Sequence, residues 1–253
     1  MKNEPRLMFG RMPFADVIIL IGLLLVLPSD TIAQTGGYNA ICTASTGCTP
    51  NAASVAYIDA SVFSNPATLD FCGVLHYILT PSNHILPSTA PVVIDARGLP
   101  GQTSTNMTCA ASPWAGITAP PATILLPSGT ITVGNTWILP SNTRLIGTGD
   151  NVYNGLGTVI KAGSTMTTST MIQFGSSSGA TGISVERLTL NGLGSSVTGI
   201  VNQYAQDRSY VDHVSLYQIR GTGLLVENNA TNSGPYSNIT FDTGGYSGTS
   251  STV

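Results

Sequence analysis

The sequence predicts an all-β chain wound as a right-handed parallel β-helix, a solenoid with an N-terminal capping helix and loop. Three observations carry that expectation. The chain is 42% hydrophobic but only 8% charged, against roughly 25% charged in ordinary soluble domains. Thr, Ser, Gly and Asn must therefore do the solvating, as they do in β-rich chains, and the hydrophobic content argues against disorder. The apolar runs after residue 90 are short, β-type and punctuated by Gly, Pro and Asn, with no helical pattern between them, which excludes a βαβ fold. Finally, one motif recurs. Val185-Glu-Arg-Leu-Thr-Leu-Asn191 aligns with Val211-Asp-His-Val-Ser-Leu-Tyr217 and with Ser237-Asn-Ile-Thr-Phe-Asp242. Leu188 to Val214 is 26 residues and Val214 to Ile239 is 25. A sandwich or barrel has no reason to hold such a step, whereas stacked coils do.

Residues 1–33 read as a signal peptide. Lys2, Arg6 and Arg11 form a positive leader, and Val17 to Leu27 is an apolar run of 11 residues, well short of the ~20 that span a bilayer. Cleavage is expected after Ala33, which makes the mature chain secreted, periplasmic or extracellular and linked to a membrane only through its leader. The leader takes three of the nine basic and three of the twelve acidic residues, so the net charge of −3 is unchanged. Without clustered Lys/Arg, nucleic acid is excluded as a partner.

Residues 34–89 form an N-terminal loop and capping helix. Cys42, Cys48, Cys72 and Cys109 all fall in the exported part, a disulfide-permissive setting. The six-residue step from Cys42 to Cys48 suits a local loop, leaving Cys72 to pair with Cys109. A metal site is the weaker reading of these cysteines, since there is no C-x-x-C. Leu69, Cys72, Leu75, Ile78 and Leu79 fall at helical spacing, and Pro81 stops that helix.

Residues 90–253 carry the strands: Val92–Ile94, Ile124–Leu126, Ile131–Val133, Trp137–Leu139, Arg144–Ile146, Val159-Ile160, Met171–Phe174, Ile183–Leu190, Tyr210–Ile219, Leu224–Val226 and Ile239–Phe241. A further short strand follows the repeated motif each time, at Gly199-Ile-Val and Gly223-Leu-Leu. The segment ends on Thr-Ser-Ser-Thr-Val253 with no polar capping element, so the β-helix is expected to be incomplete at its carboxyl end.

Ile124-Leu-Leu-Pro-Ser-Gly-Thr-Ile-Thr-Val133, followed by Leu139-Pro-Ser-Asn-Thr-Arg-Leu-Ile-Gly-Thr-Gly149 and Val159-Ile-Lys-Ala162, resembles the first coils of the pectate-lyase-like β-helix superfamily. Val93-Ile-Asp-Ala-Arg-Gly98 after a Cys-bearing helix is similar to the N-terminal cap of secreted bacterial members. The resemblance covers roughly residues 57–245 and implies a polysaccharide or cell-surface glycan as partner. That superfamily holds lyases, hydrolases and non-catalytic adhesins alike. Val211-Asp-His-Val214 also resembles a strand of calcium-dependent pectate lyases, in which the Asp helps to bind Ca²⁺ and an Arg or Lys takes a uronate proton. The tryptophan usual before it is missing, as are the paired-Asp and His-Gly motifs of polygalacturonases.

In the aligned coils the residues at 188/190, 214/216 and 239/241 should face inward. Thr189, Ser215 and Thr240 then form one outward column, and Asn191, Tyr217 and Asp242 form a second that could bind a sugar chain. Stacking should place Glu186 over Asp212 and Arg187 over His213. Two carboxylates one coil apart repel unless a cation or proton lies between them. Glu186, Asp207 and Asp212 are therefore the candidate metal ligands, with Ca²⁺ as the ion. Arg208, Arg220 and His213 are the candidate catalytic groups. The competing reading is a surface ion-pair network of Arg187, Arg208 and His213 with the carboxylates. A monomeric, polysaccharide-active lyase or hydrolase and a non-catalytic adhesion module both fit. Gly175-Ser-Ser-Ser-Gly179 is no nucleophile elbow, since no helix follows it.

Overall fold

The computed structural model describes residues 42–43, 47–48, 56–63, 69–80, 91–99, 106–150, 156–230 and 232–242. The expected leader at residues 1–33 lies outside them. No helix among the described residues is long and apolar enough to cross a membrane.

In chain order the elements are β1 (Cys42–Thr43), β2 (Gly47–Cys48), β3 (Ala56–Asp59), α1 (Phe71–Leu79), β4 (Val92–Asp95) and β5 (Asn106–Cys109). Then come β6 (Ala122–Leu125), β7 (Gly129–Val133), β8 (Trp137–Leu139), β9 (Thr143–Ile146), β10 (Thr158–Ala162) and β11 (Thr170–Phe174). The chain continues through β12 (Ser184–Asn191), β13 (Thr198–Asn202), β14 (Tyr210–Tyr217), β15 (Leu224–Val226) and β16 (Tyr236–Asp242). From β3 onward every pairing is parallel, and the strands wind into a solenoid of about 5 turns.

Each full coil has three faces. Face one stacks β3, β4, β6, β9 and the first halves of β12, β14 and β16. Face two stacks β5, β7, β10 and the second halves of the same three strands. Face three stacks β8, β11, β13 and β15. Strand β12 shows how one strand serves two faces. Ser184–Glu186 pair with β9 while Thr189–Asn191 pair with β10, and the turn between them is made by Arg187 alone, at φ 56°. His213 and Asn238 repeat that left-handed bend at φ 52° each in the next two coils.

The core is a set of ladders between these faces. Ile94, Ile124, Leu145, Val185 and Val211 follow one another in register and are fully or almost fully buried. Ile131, Ile160, Leu190 and Leu216 make the equivalent ladder on face two. Burying a side chain of this size stabilises by roughly 1.5–3 kcal/mol, so the coils hold one another rather than standing alone. The expected stack of Leu188, Val214 and Ile239 is present in parallel register. Its last member packs against the core as expected and Phe241 lies over Gly223. Ile239 is only half-buried, however, and Phe241 is 36% exposed, because among the described residues β16 pairs on one side only.

The outward column also needs correction. Thr189 and Ser215 are buried, at 0% and 8% exposure, and only Thr240 is exposed. Thr189 sits between Val159 and Ser215 in the interior of the sheet, so neighbours cover its flanks.

At the N-terminal end, Asp70 caps α1 by accepting from the Gly73 N–H at 2.7 Å. Phe71, Cys72, Leu75, Ile78 and Leu79 are buried along the helix, whereas Leu69, expected to share that face, lies before the cap and is exposed. Cys72 is bonded to Cys109 on β5, as expected. Cys42 and Cys48 are direct partners in a short antiparallel pair, but a bond between them lies outside the described side chains. On the first coil, Arg97 grips Asp95 through Nε at 2.9 Å and Nη2 at 2.7 Å, and the Tyr57 hydroxyl donates to the same carboxylate. The Arg97 hydrogen bonds, helped by Tyr57 and offset in part by burial, hold Asp95 at about 2.

Candidate functional site

The bend between faces one and two gathers the carboxylates that the repeat pointed to. Glu186 and Asp212 are register partners on β12 and β14, as expected. Each is held by its own set of donors. Glu186 Oε1 accepts from Arg144 Nη2 at 2.9 Å and Nε at 3.3 Å, from Ser184 Oγ at 2.8 Å and from Tyr210 Oη at 2.8 Å. Burial alone would raise this carboxyl, but the hydrogen bonds from Arg144, Ser184 and Tyr210 outweigh it and keep Glu186 below the usual carboxylate range. Asp212 Oδ1 accepts from Ser237 Oγ at 2.7 Å and Asn238 Nδ2 at 2.9 Å, while Oδ2 lies 2.8 Å from His213 Nδ1. Ser237 first, then Asn238 and His213, bring Asp212 down to about 2.

The cation beside Glu186 is thus Arg144 on β9, not Arg187 or Arg208, while Asp212 pairs with His213 as the surface-network reading expected. The expected calcium trio is not assembled either. Asp207 lies in the turn before β14, where its carbonyl accepts from the Gly182 N–H. Among the described residues no three His, Cys, Asp or Glu side chains form a group that could hold a metal ion.

The three candidate catalytic groups separate in the same way. Arg208, at φ 59°, marks the corner before face one. His213 marks the bend between faces one and two. Arg220 lies in the turn after face two, its N–H donating to the Ser195 carbonyl. Residues a few positions apart in sequence have been carried around the coil to three corners. Of the expected sugar column, the register Asn191–Tyr217–Asp242 is present and continues back to Lys161 and Thr132. Asn191 spends its Oδ1 on the Leu193 N–H, closing its own turn, and Tyr217 Oη accepts from Gln218 Nε2.

One arrangement does have chemical capacity. Arg187, His213 and Asn238 occupy equivalent bend positions on successive coils and are all exposed, about 4.8 Å apart per coil. A carboxylate only accepts, so Asp212 holds the proton of neutral His213 on Nδ1 and leaves the Nε2 lone pair outward. A base oriented by an acid therefore stands one coil from a cation, Arg187, that has no ion-pair partner among the described residues. Sequence reading named His213 but missed this role for Arg187, because the left-handed bend that presents Arg187 is uncommon for an arginine. It missed Arg144, 42 residues from Glu186, because that partner lies outside the repeated motif.

No family model, no curated protein and no solved structure matches the chain.

Proposed function

We propose that the protein is an exported polysaccharide-active β-solenoid of pectate-lyase-like kind, working on an acidic sugar chain by elimination at the Arg187–His213–Asn238 ridge. The observation that carries this reading is the 2.8 Å contact between Asp212 and His213, which orients a general base at an exposed bend. Arg187 would neutralise the sugar carboxylate and so acidify the C–H beside it. His213 Nε2 would take that proton, the electron pair would form a C=C bond, and the glycosidic oxygen would leave and be protonated by water. Inverting or retaining hydrolysis fits less well. It needs a carboxyl with a raised pKa as general acid, and both carboxylates here are held low.

The test is incubation of the mature protein with a polyuronate and with a neutral glucan, following the ultraviolet absorbance of the new double bond. Activity on the polyuronate, lost in His213→Asn and weakened through KM in Arg187→Ala, is the expected result. Binding without cleavage would favour the second reading, a non-catalytic surface or adhesion module. The half-buried column of Lys161, Asn191, Tyr217 and Asp242 along face two supports that alternative.

A further inference from the structure

A groove of about 570 Å³ runs along the corner between faces three and one. Its floor has a simple construction. Pro91, Pro121 and Asn142 immediately precede β4, β6 and β9, and Gly182 and Arg208 occupy the same position before β12 and β14. Outside them lies a second column of Val93, Thr123 and Arg144. Four coil steps make this floor about 19 Å long.

The two ends differ in character. The β4–β6 end presents two prolines, Val93 and the edges of Val92 and Ala122. The β9–β14 end presents Arg144 and Arg208. Arg144 is already committed to Glu186. Arg208 is exposed and makes no hydrogen bond or ion pair with any described residue. Its backbone is in the left-handed region, as are Asn142 at φ 61° and Gly182 at φ 68°. A Cβ on Gly182 would come within 2.7 Å of Asn142 Oδ1, so glycine keeps the middle of the floor low. An unneutralised cation at one end of an apolar trough calls for a ligand with an anionic head and an apolar body.

We propose that this groove binds a monomeric aliphatic carboxylate, with the acid on Arg208 and the chain running along the floor past Gly182 and Asn142 towards Pro121. The site is separate from the His213 ridge and does not rest on the polysaccharide reading.

Isothermal titration calorimetry of the mature protein with decanoate tests it, with decanol, acetate and a uronate oligomer as comparison ligands. Saturable decanoate binding is expected, with decanol weaker by on the order of tenfold or more, since a hydrogen bond to a charged group is worth about that factor. Acetate should be weaker by on the order of tenfold or more because it lacks the chain that would bury apolar surface. Arg208→Asn, which suits the left-handed backbone, should weaken decanoate by a similar factor without moving the melting temperature. Thr123→Trp should block the trough and abolish binding while Arg208 stays in place. Equal binding of decanoate and decanol, equal binding of decanoate and acetate, or no effect of either variant would overturn the proposal. So would the absence of saturable decanoate binding. Displacement of decanoate by the uronate oligomer would overturn it too, assigning the groove to the glycan.

Discussion

Replacing Glu186 tests the bend most directly, because its Oε1 collects donors from three successive coils. Glu186→Ala would leave the Arg144 guanidinium without its carboxylate and strip the acceptor from Ser184, which is buried, and from Tyr210. Hydrogen bonds to a charged group are worth about 1.5–3 kcal/mol. Arg144 is 47% exposed, so water replaces part of what it loses, and a net cost of about 2 kcal/mol is expected. For a domain of this size that corresponds to a fall of about 4–8 °C in melting temperature. Glu186→Gln keeps an acceptor oxygen and loses only the charge, so it should cost about half as much. The pH dependence separates charge from shape. Glu186 titrates lower in the folded than in the unfolded chain, so its stabilisation is complete above the unfolded carboxyl value, about 4.3. It is lost as pH falls through the folded value. The gap between parent and Glu186→Gln, followed by melting from pH 7 downward, should close in acid. A gap that persists in acid, or an Ala variant that melts with the parent at pH 7, would refute the assignment of Arg144, Ser184 and Tyr210 as its partners.

Other consequences can be measured in the same way. Replacing Cys72 and Cys109 together by Ala opens a bridge of sequence separation 37, and the loop-entropy relation puts the loss at about 4 kcal/mol; denaturant midpoints of the two proteins check it. His213→Ile should be less stable than His213→Asn by about 1–2 kcal/mol, since Asn tolerates the left-handed backbone and a β-branched residue does not. Millimolar calcium should leave the melting temperature unchanged, because Glu186 is committed to Arg144; a rise would restore Glu186 and Asp212 as ion ligands.

The strands were legible in the sequence wherever apolar residues alternate or cluster between Gly, Pro and Asn, and the register of β12, β14 and β16 follows from the 25–26 residue step. That step describes only the last coils. Along the face-one ladder from Ile94 to Ile124, Leu145, Val185, Val211 and Tyr236, the intervals are 30, 21, 40, 26 and 25 residues. The corner segments change length from coil to coil, so a search for one period finds the regular coils and passes over the rest. Ala56–Asp59 and Asn106–Cys109 went unseen, the second because only Met107 and Cys109 of its four residues are apolar. At the site, the stacking of Glu186 on Asp212 could be read in advance, since it needs only the register. The separation of Arg208, His213 and Arg220 could not, because it depends on where each coil turns. Those turns fall on Arg187, Arg208 and His213, and for the two arginines the left-handed backbone is uncommon.

The two carboxylates also bear on how the molecule comes apart. A solenoid held only by neighbour-to-neighbour ladders can unzip one coil at a time from an end. Here Arg144 on β9 and Tyr210 on β14 meet on a carboxylate of β12, and Ser237 and Asn238 on β16 meet on the next carboxylate, on β14. The fastenings overlap, so no coil between β9 and β16 can peel away without loosening a carboxylate that its neighbour also uses. This stretch should melt as one block, and a protease should find it either intact or wholly open.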